Sequence, residues 1–152
     1  MSFQVRAEEA LPADLSEITL LEQQCFGIEA FSKQQMRYLL TKANSIFLMI
    51  RKDNKISAYI VLLMRKNSKA IRIYSIAVSP EFRGCGLAKL LIEEAVIQAN
   101  KLNCNSIRLE VSENNKAAIK LYQQQGFVQF GEKQSYYKDA SNALLMVKTL
   151  HI

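Results

Sequence analysis

A chain of 152 residues, 49% apolar and 22% charged, with five glycines and two prolines, has the composition of a globular domain and excludes a fibre or a flexible linker. A domain of this size buries roughly 70% of its unfolded surface and needs no disulfide or metal staple. Cys25, Cys85 and Cys104 lie far apart with no histidine at ligand spacing, which implies a reducing cytoplasm and no metal. The first residues carry the acidic pair Glu8-Glu9 and no apolar segment of a signal peptide. The longest apolar run, 58–64, is seven residues, against roughly 20 for a bilayer span. No linker or repeat divides the chain, so one domain over 1–152 is expected.

The net charge of +6 sits wholly in residues 51–72, which hold seven cations and one anion. This stretch has two readings: an electrostatic footprint for nucleic acid, a ribosomal surface or an acidic partner, or solvated strand ends and turns, which is the stronger.

In chain order, residues 3–6 open as a short strand. Leu11, Leu15, Ile18 and Leu21 then recur at helical spacing after Pro12-Ala13-Asp14. Ser32 caps a second helix running to Leu40. Apolar runs at 45–50 and 56–64, separated by Arg51-Lys52-Asp53-Asn54-Lys55, predict an antiparallel hairpin, and 70–78 continues the sheet. A helix is predicted over 87–102 with Leu87, Leu90, Leu91, Ala95, Ala99 and Leu102 on one face. Residues 106–111 form a strand with Ile107, Leu109 and Val111 on one side and Arg108 and Glu110 on the other. A helix over 115–125 stops at Gly126, and strands at 127–130 and 143–149 finish the chain. The expected fold is α/β (α+β), a mixed sheet with helices on both faces.

Two passages carry chemistry. In Ile76-Ala77-Val78-Ser79-Pro80-Glu81-Phe82-Arg83-Gly84-Cys85-Gly86-Leu87-Ala88-Lys89 a strand passes through a glycine turn into a helix. The unpaired N–H groups of a helix start favour an anion such as phosphate, and Gly84 and Gly86 let its oxygens approach the main chain. The passage is neither a Walker loop nor a complete G-x-G-x-x-G, and by itself a tight turn is the commoner meaning. In the second passage, Leu109-Glu110-Val111 leads to Asn115-x-x-Ala118-x-x-Leu121-Tyr122 and Gly126-Phe127.

Together, Arg-x-x-Gly-x-Ala, Leu-Glu-Val, Asn-x-x-Ala-x-x-Leu-Tyr and Gly-Phe resemble the GNAT acetyltransferase superfamily, and most of all its RimI-type enzymes, which acetylate the N-terminal alanine of a ribosomal protein. The resemblance is tight over 76–127, roughly a third of the chain. It implies a GNAT fold with a mostly antiparallel sheet of about six to seven strands in the order β-α-α-β-β-β-α-β-α-β-β. It also implies acetyl-CoA as acetyl donor, with its pantetheine arm along Ile76, Ala77 and Val78. The pyrophosphate would lie on Arg83, Gly84, Cys85, Gly86, Leu87, Ala88 and Lys89, and Asn115 would touch the same cofactor. Glu110 matches the family's general base and Tyr122 its general acid. A carboxyl at a strand end is expected to be raised by partial desolvation.

Each role has a structural competitor. Glu110 could be a surface ion pair, Tyr122 a packing residue, and Asn115 a helix cap. Cys85 reads as a small loop residue, since the chain's single histidine, His151, stands near the C-terminus. Tyr136 and Tyr137 either line an acceptor groove or pack on the sheet. Phe31, in Ala30-Phe31-Ser32, stands where RimI-type enzymes carry Pro-Trp-Ser on the acceptor side. The resulting expectation is an N-acetyltransferase acting on a protein N-terminal amine, possible substrates including a ribosomal protein, as a monomer or homodimer, with no membrane or nucleic-acid partner. The alternatives are a Lys side chain or small-molecule amine as acceptor, a non-catalytic acetyl-CoA-binding module, or a nucleic-acid-binding protein.

Overall fold

The computed structural model describes residues 5–150. Its strands are β1 (Ala7–Glu9), β2 (Ser45–Lys52), β3 (Lys55–Met64), β4 (Ala70–Val78), β5 (Ser106–Ser112), β6 (Val128–Lys133) and β7 (Ala143–Thr149). They form one sheet in the order β1-β2-β3-β4-β5-β7-β6, antiparallel throughout except for the β4–β5 pair. Helices α1 (Leu15–Phe26) and α2 (Lys33–Thr41) follow β1, α3 (Leu87–Lys101) joins β4 to β5, and α4 (Lys116–Gln124) joins β5 to β6. A right-handed crossover helix is what a parallel strand pair requires.

Two apolar clusters lie on the two faces of the sheet. One joins Ile60, Ile71, Ile107, Leu109 and Met146 to Leu91, Ala95 and Tyr122 of α3 and α4. The other joins Phe47, Tyr59 and Val61 to Ile18, Met36 and Leu39 of α1 and α2. Strand alternation produces this division, since neighbouring residues of β3 face opposite clusters.

Local chemistry explains most boundaries. Ser32 accepts the N–H of Gln35, and the Gln35 side chain accepts the N–H of Ser32, a reciprocal cap that starts α2. The β2–β3 turn is shorter than the sequence suggests. Asp53 and Asn54, with φ of 53° and 61°, make a two-residue left-handed turn, so Arg51, Lys52 and Lys55 belong to the strands.

Other boundaries also move. The first strand begins at Ala7 and not at residue 3; Val5 and Arg6 lie outside it, while Phe3 and Gln4 fall outside the described residues. Leu102 is 46% exposed, because α3 ends at Lys101 and leaves it beyond the buried stripe. The sixth strand is displaced toward Lys133, since Phe127 turns into the core against Tyr122. The basic stretch is not one patch, as Arg51 is bound by Glu8, Asp14 and Glu17 at one end of the hairpin while Arg65, Lys66 and Lys69 stand at the other.

Candidate active site

The site is made by a parallel pair that comes apart. β4 and β5 are in register from Ala70 opposite Ser106 to Ile73 opposite Leu109. Beyond that point β5 stays paired with β7 and β4 with β3. A bulge marks the parting: Val61 pairs with Ser75 and Leu62 with Ile73, leaving Tyr74 without a partner. The extra residue bends β4 away, a common device beside functional sites. Residues 74–78 therefore keep one backbone edge that no strand among the described residues covers, and Ile76, Ala77 and Val78 lie there.

The glycine turn stands at the far end of that edge. Gly84 and Gly86 have φ of 81° and 77°, and a Cβ built on either would meet nothing within 4 Å. Their need for glycine comes from the left-handed backbone, and the open space leaves room for a ligand. Gly86 caps α3 without a side-chain hydrogen bond, and Leu90 is the first residue whose N–H finds an intrahelical carbonyl. The N–H groups of Leu87, Ala88 and Lys89 are thus left for an anion. Cys85 and Lys89 are exposed beside them. Arg83 folds back, its Nε donating to the Val78 carbonyl at 3.4 Å. The free strand edge followed by this ring of donors fits the pantetheine and pyrophosphate of acetyl-CoA, the first by strand-like pairing and the second by charge. Asn115 caps α4, its Oδ1 accepting the Ala118 N–H at 3.2 Å, so the capping reading is realised while the amide nitrogen remains for other contacts.

Glu110 stands on the opposite wall of the opening, directed away from the cluster that holds Leu109 and Val111. Lys133 Nζ lies 3.0 Å from its Oε1 and Arg72 Nη2 3.2 Å from its Oε2. Burial alone would push the carboxyl up, but the Tyr136 hydroxyl, Lys133 and Arg72 favour its charged form and hold it below the usual glutamate range. This reverses the sequence expectation of a raised value, because a strand pattern shows the desolvation and not the cations that neighbouring elements bring. Oε2 is buried and takes no hydrogen bond among the described residues.

Tyr122 is 6% exposed and packs edge-on against Phe127. Burial, with a smaller push from Tyr137, raises its hydroxyl well above the ordinary tyrosine value. Burial and the Glu110 charge push Tyr137 up to about 12. Tyr136 meets Tyr137 edge-to-face with ring centroids 5.0 Å apart, and neither ring belongs to the apolar cores.

Phe31 stacks on Tyr74 at 4.8 Å and 11°, with its N–H donated to Glu22 Oε2. The segment before it is tied to the β6–β7 loop, where Lys138 donates its N–H to Glu29 at 2.6 Å and its ammonium to the Ile28 carbonyl at 2.9 Å. Phe31, Tyr136 and Tyr137 therefore belong to two segments held together beside Glu110.

Sequence reading missed Arg72, Lys133, Tyr74 and Glu22. Glu22 was the most legible, since it continues the spacing of Leu15 and Ile18 on a buried helix face. It is 1% exposed and also receives the Tyr59 hydroxyl and the Ser75 hydroxyl, the latter at 3.1 Å. Arg72 and Lys133 meet Glu110 through strand register, which no local pattern reveals.

Comparison with known proteins agrees with this architecture. The family model of the acetyltransferase (GNAT) family matches residues 15–127, and the chain belongs to that family. It is an N-acetyltransferase of the kind that uses acetyl-CoA. The ribosomal protein bS18-alanine N-acetyltransferase of Haemophilus influenzae is 29% identical over 111 residues, covering 62% of this chain and 75% of that protein. N-alpha-acetyltransferase 30 of Saccharomyces cerevisiae is 33% identical over 75 residues, 49% of this chain, which spans 43% of that relative's length. The crystal structure of the ribosomal-protein-S18-alanine N-acetyltransferase from Escherichia coli superposes with a TM-score of 0.88 at 21% identity, covering 98% of this chain and 96% of that one.

Proposed function

We propose that this protein acetylates a protein N-terminal α-amine by direct attack in a ternary complex, with Glu110 as general base and Tyr122 as general acid. The observation that carries the reading is the Glu110 carboxylate at the parting of β4 and β5, kept ionised there by Tyr136, Lys133 and Arg72. A carboxylate that is ionised at the mouth of this opening can accept a hydrogen bond from an incoming amine.

Acetyl-CoA supplies a thioester carbonyl activated toward amines. Backbone N–H groups on the free edge of β4 align it and polarise its oxygen. Glu110, held low, is ionised throughout the neutral range but is a weak base. It therefore suits an amine with a substantial neutral fraction, from which it takes the proton shed as the new C–N bond forms. An α-amine of pKa about 7.7–8.0 meets that requirement, whereas a Lys near 10.4 offers a neutral fraction roughly 300-fold smaller. Tyr122 stays protonated at every physiological pH and donates to sulfur as the C–S bond breaks. Relatives named as N-terminal acetyltransferases support the same acceptor class. A cytoplasmic setting is part of this reading and is consistent with three free thiols.

Thiol release from acetyl-CoA, measured against N-terminal peptides, Lys peptides and polyamines, tests it. Glu110→Gln and Tyr122→Phe should each lower turnover by about 10²–10⁴-fold with CoA affinity retained. Unchanged turnover in both variants would refute the assignment, and preferred use of Lys peptides or polyamines would replace the acceptor.

A further inference from the structure

The apolar cluster beneath α1 and α2 ends at β4 and takes no residue from β5, β6 or β7. The same face of the sheet's second half is left as a trough of about 550 Å³ that begins at Glu110 and extends toward the start of β4. Its floor is apolar, with Leu63, Leu145 and Phe130. Its charged lining is lopsided: Arg65, Arg72, Arg108 and Lys133 against the single carboxylate of Glu110.

Two of these cations are already engaged, since Arg72 and Lys133 face Glu110. The other two face no carboxylate among the described residues. Arg108 lies 5.3 Å over the Phe130 ring, which the bulge between Gln129 and Gly131 leaves unpaired in the β6–β7 ladder, and Arg65 stands at the end of the β3–β4 hairpin. Guanidinium groups flanking an apolar floor match carboxylate side chains on an extended peptide.

We infer that this trough receives the acceptor peptide beyond its reacting amine, and that the acceptor is acidic in the residues that follow its N-terminus. The inference rests on the acetyltransferase reading of Glu110 and deepens it by naming the substrate class. The amine approaches Glu110 at the head of the trough, and acidic side chains downstream meet Arg108 and Arg65. A basic segment would place like charges against the trough, and that juxtaposition discriminates against it.

Peptides of one length with a common N-terminal alanine, bearing Asp/Glu, Gln or Arg at the next three positions, test this with wild type and with Arg65→Gln/Arg108→Gln. The acidic peptide should exceed the basic one in kcat/KM by about tenfold or more at low salt. The difference should reside in KM, shrink in the double variant and fade toward 0.5 M salt, where roughly 4 Å screening isolates exposed charges. Equal use of all three peptides, or preference for the basic one, overturns the inference while leaving N-terminal acetylation intact. Fluorescence anisotropy of N-acetylated, unreactive versions of the peptides on the CoA-loaded protein separates the two readings. If no peptide is turned over yet the acidic one binds more tightly and loses that advantage in the double variant, the trough assignment stands and the catalytic reading fails. Absence of any charge preference in binding overturns the trough assignment.

Discussion

The two walls of the opening between β4 and β5 are made of different materials. On the α3 side the groups offered to a ligand are main-chain N–H donors, set by two left-handed glycines and an uncapped helix start. On the Glu110 side they are charged and aromatic side chains from β4, β5, β6 and two loops, held by ion pairs and ring contacts. A backbone wall tolerates many side chains but few changes of φ. A side-chain wall tolerates backbone adjustment but depends on each partner.

The largest effect is expected where one residue serves both walls. Glu22 receives the Phe31 N–H from the segment that follows α1 and the Ser75 hydroxyl on β4. Glu22→Ala strands these donors and the Tyr59 hydroxyl, at about 1–3 kcal/mol for each buried group left unsatisfied. Chemical denaturation should show a loss of several kcal/mol, and a loss below about 1 kcal/mol would show that the walls do not share this support.

A smaller effect isolates the backbone wall. Gly84→Ala and Gly86→Ala each force a Cβ into a left-handed conformation at about 1–2 kcal/mol. No atom of the described residues stands in the way of either methyl, so calorimetric CoA affinity should fall while Glu110 keeps its ion pairs. Unchanged affinity in both variants would separate the glycine turn from the cofactor.

The mildest effect sharpens the other wall. Glu110 is held low, so its ionised form stabilises the fold above the unfolded-state pKa, and that contribution is lost as pH falls through the folded value. Lys133→Met removes one of the groups that lower it, and the midpoint should move up. A carboxyl titration by NMR should place wild type below about 4.3 and the variant above wild type. Coincident midpoints would mean that Lys133 does not hold the carboxylate.

Legibility followed the same division. The glycine turn, the strand before it and the helix after it are contiguous, and the predicted strand over 70–78 coincides with β4. Asn115 as cap and Tyr122 as buried helix residue were readable from helical spacing. Phe31, Tyr136 and Tyr137 could be named but not placed, because their meeting depends on Lys138 joining two distant loops. The direction of the Glu110 shift was misread because Tyr136, Lys133 and Arg72 reach the carboxyl from other strands and a loop.

By itself the sequence determined the run of elements, the two helix-facing cores and the backbone-lined half of the opening, since these follow from periodicity, caps and left-handed positions within a few residues. Only the tertiary structure decided where β4 and β5 part, which cations face Glu110 and which side of the sheet remains uncovered. Strand register brings together charges that are far apart in sequence, and electrostatics depends on distance in space.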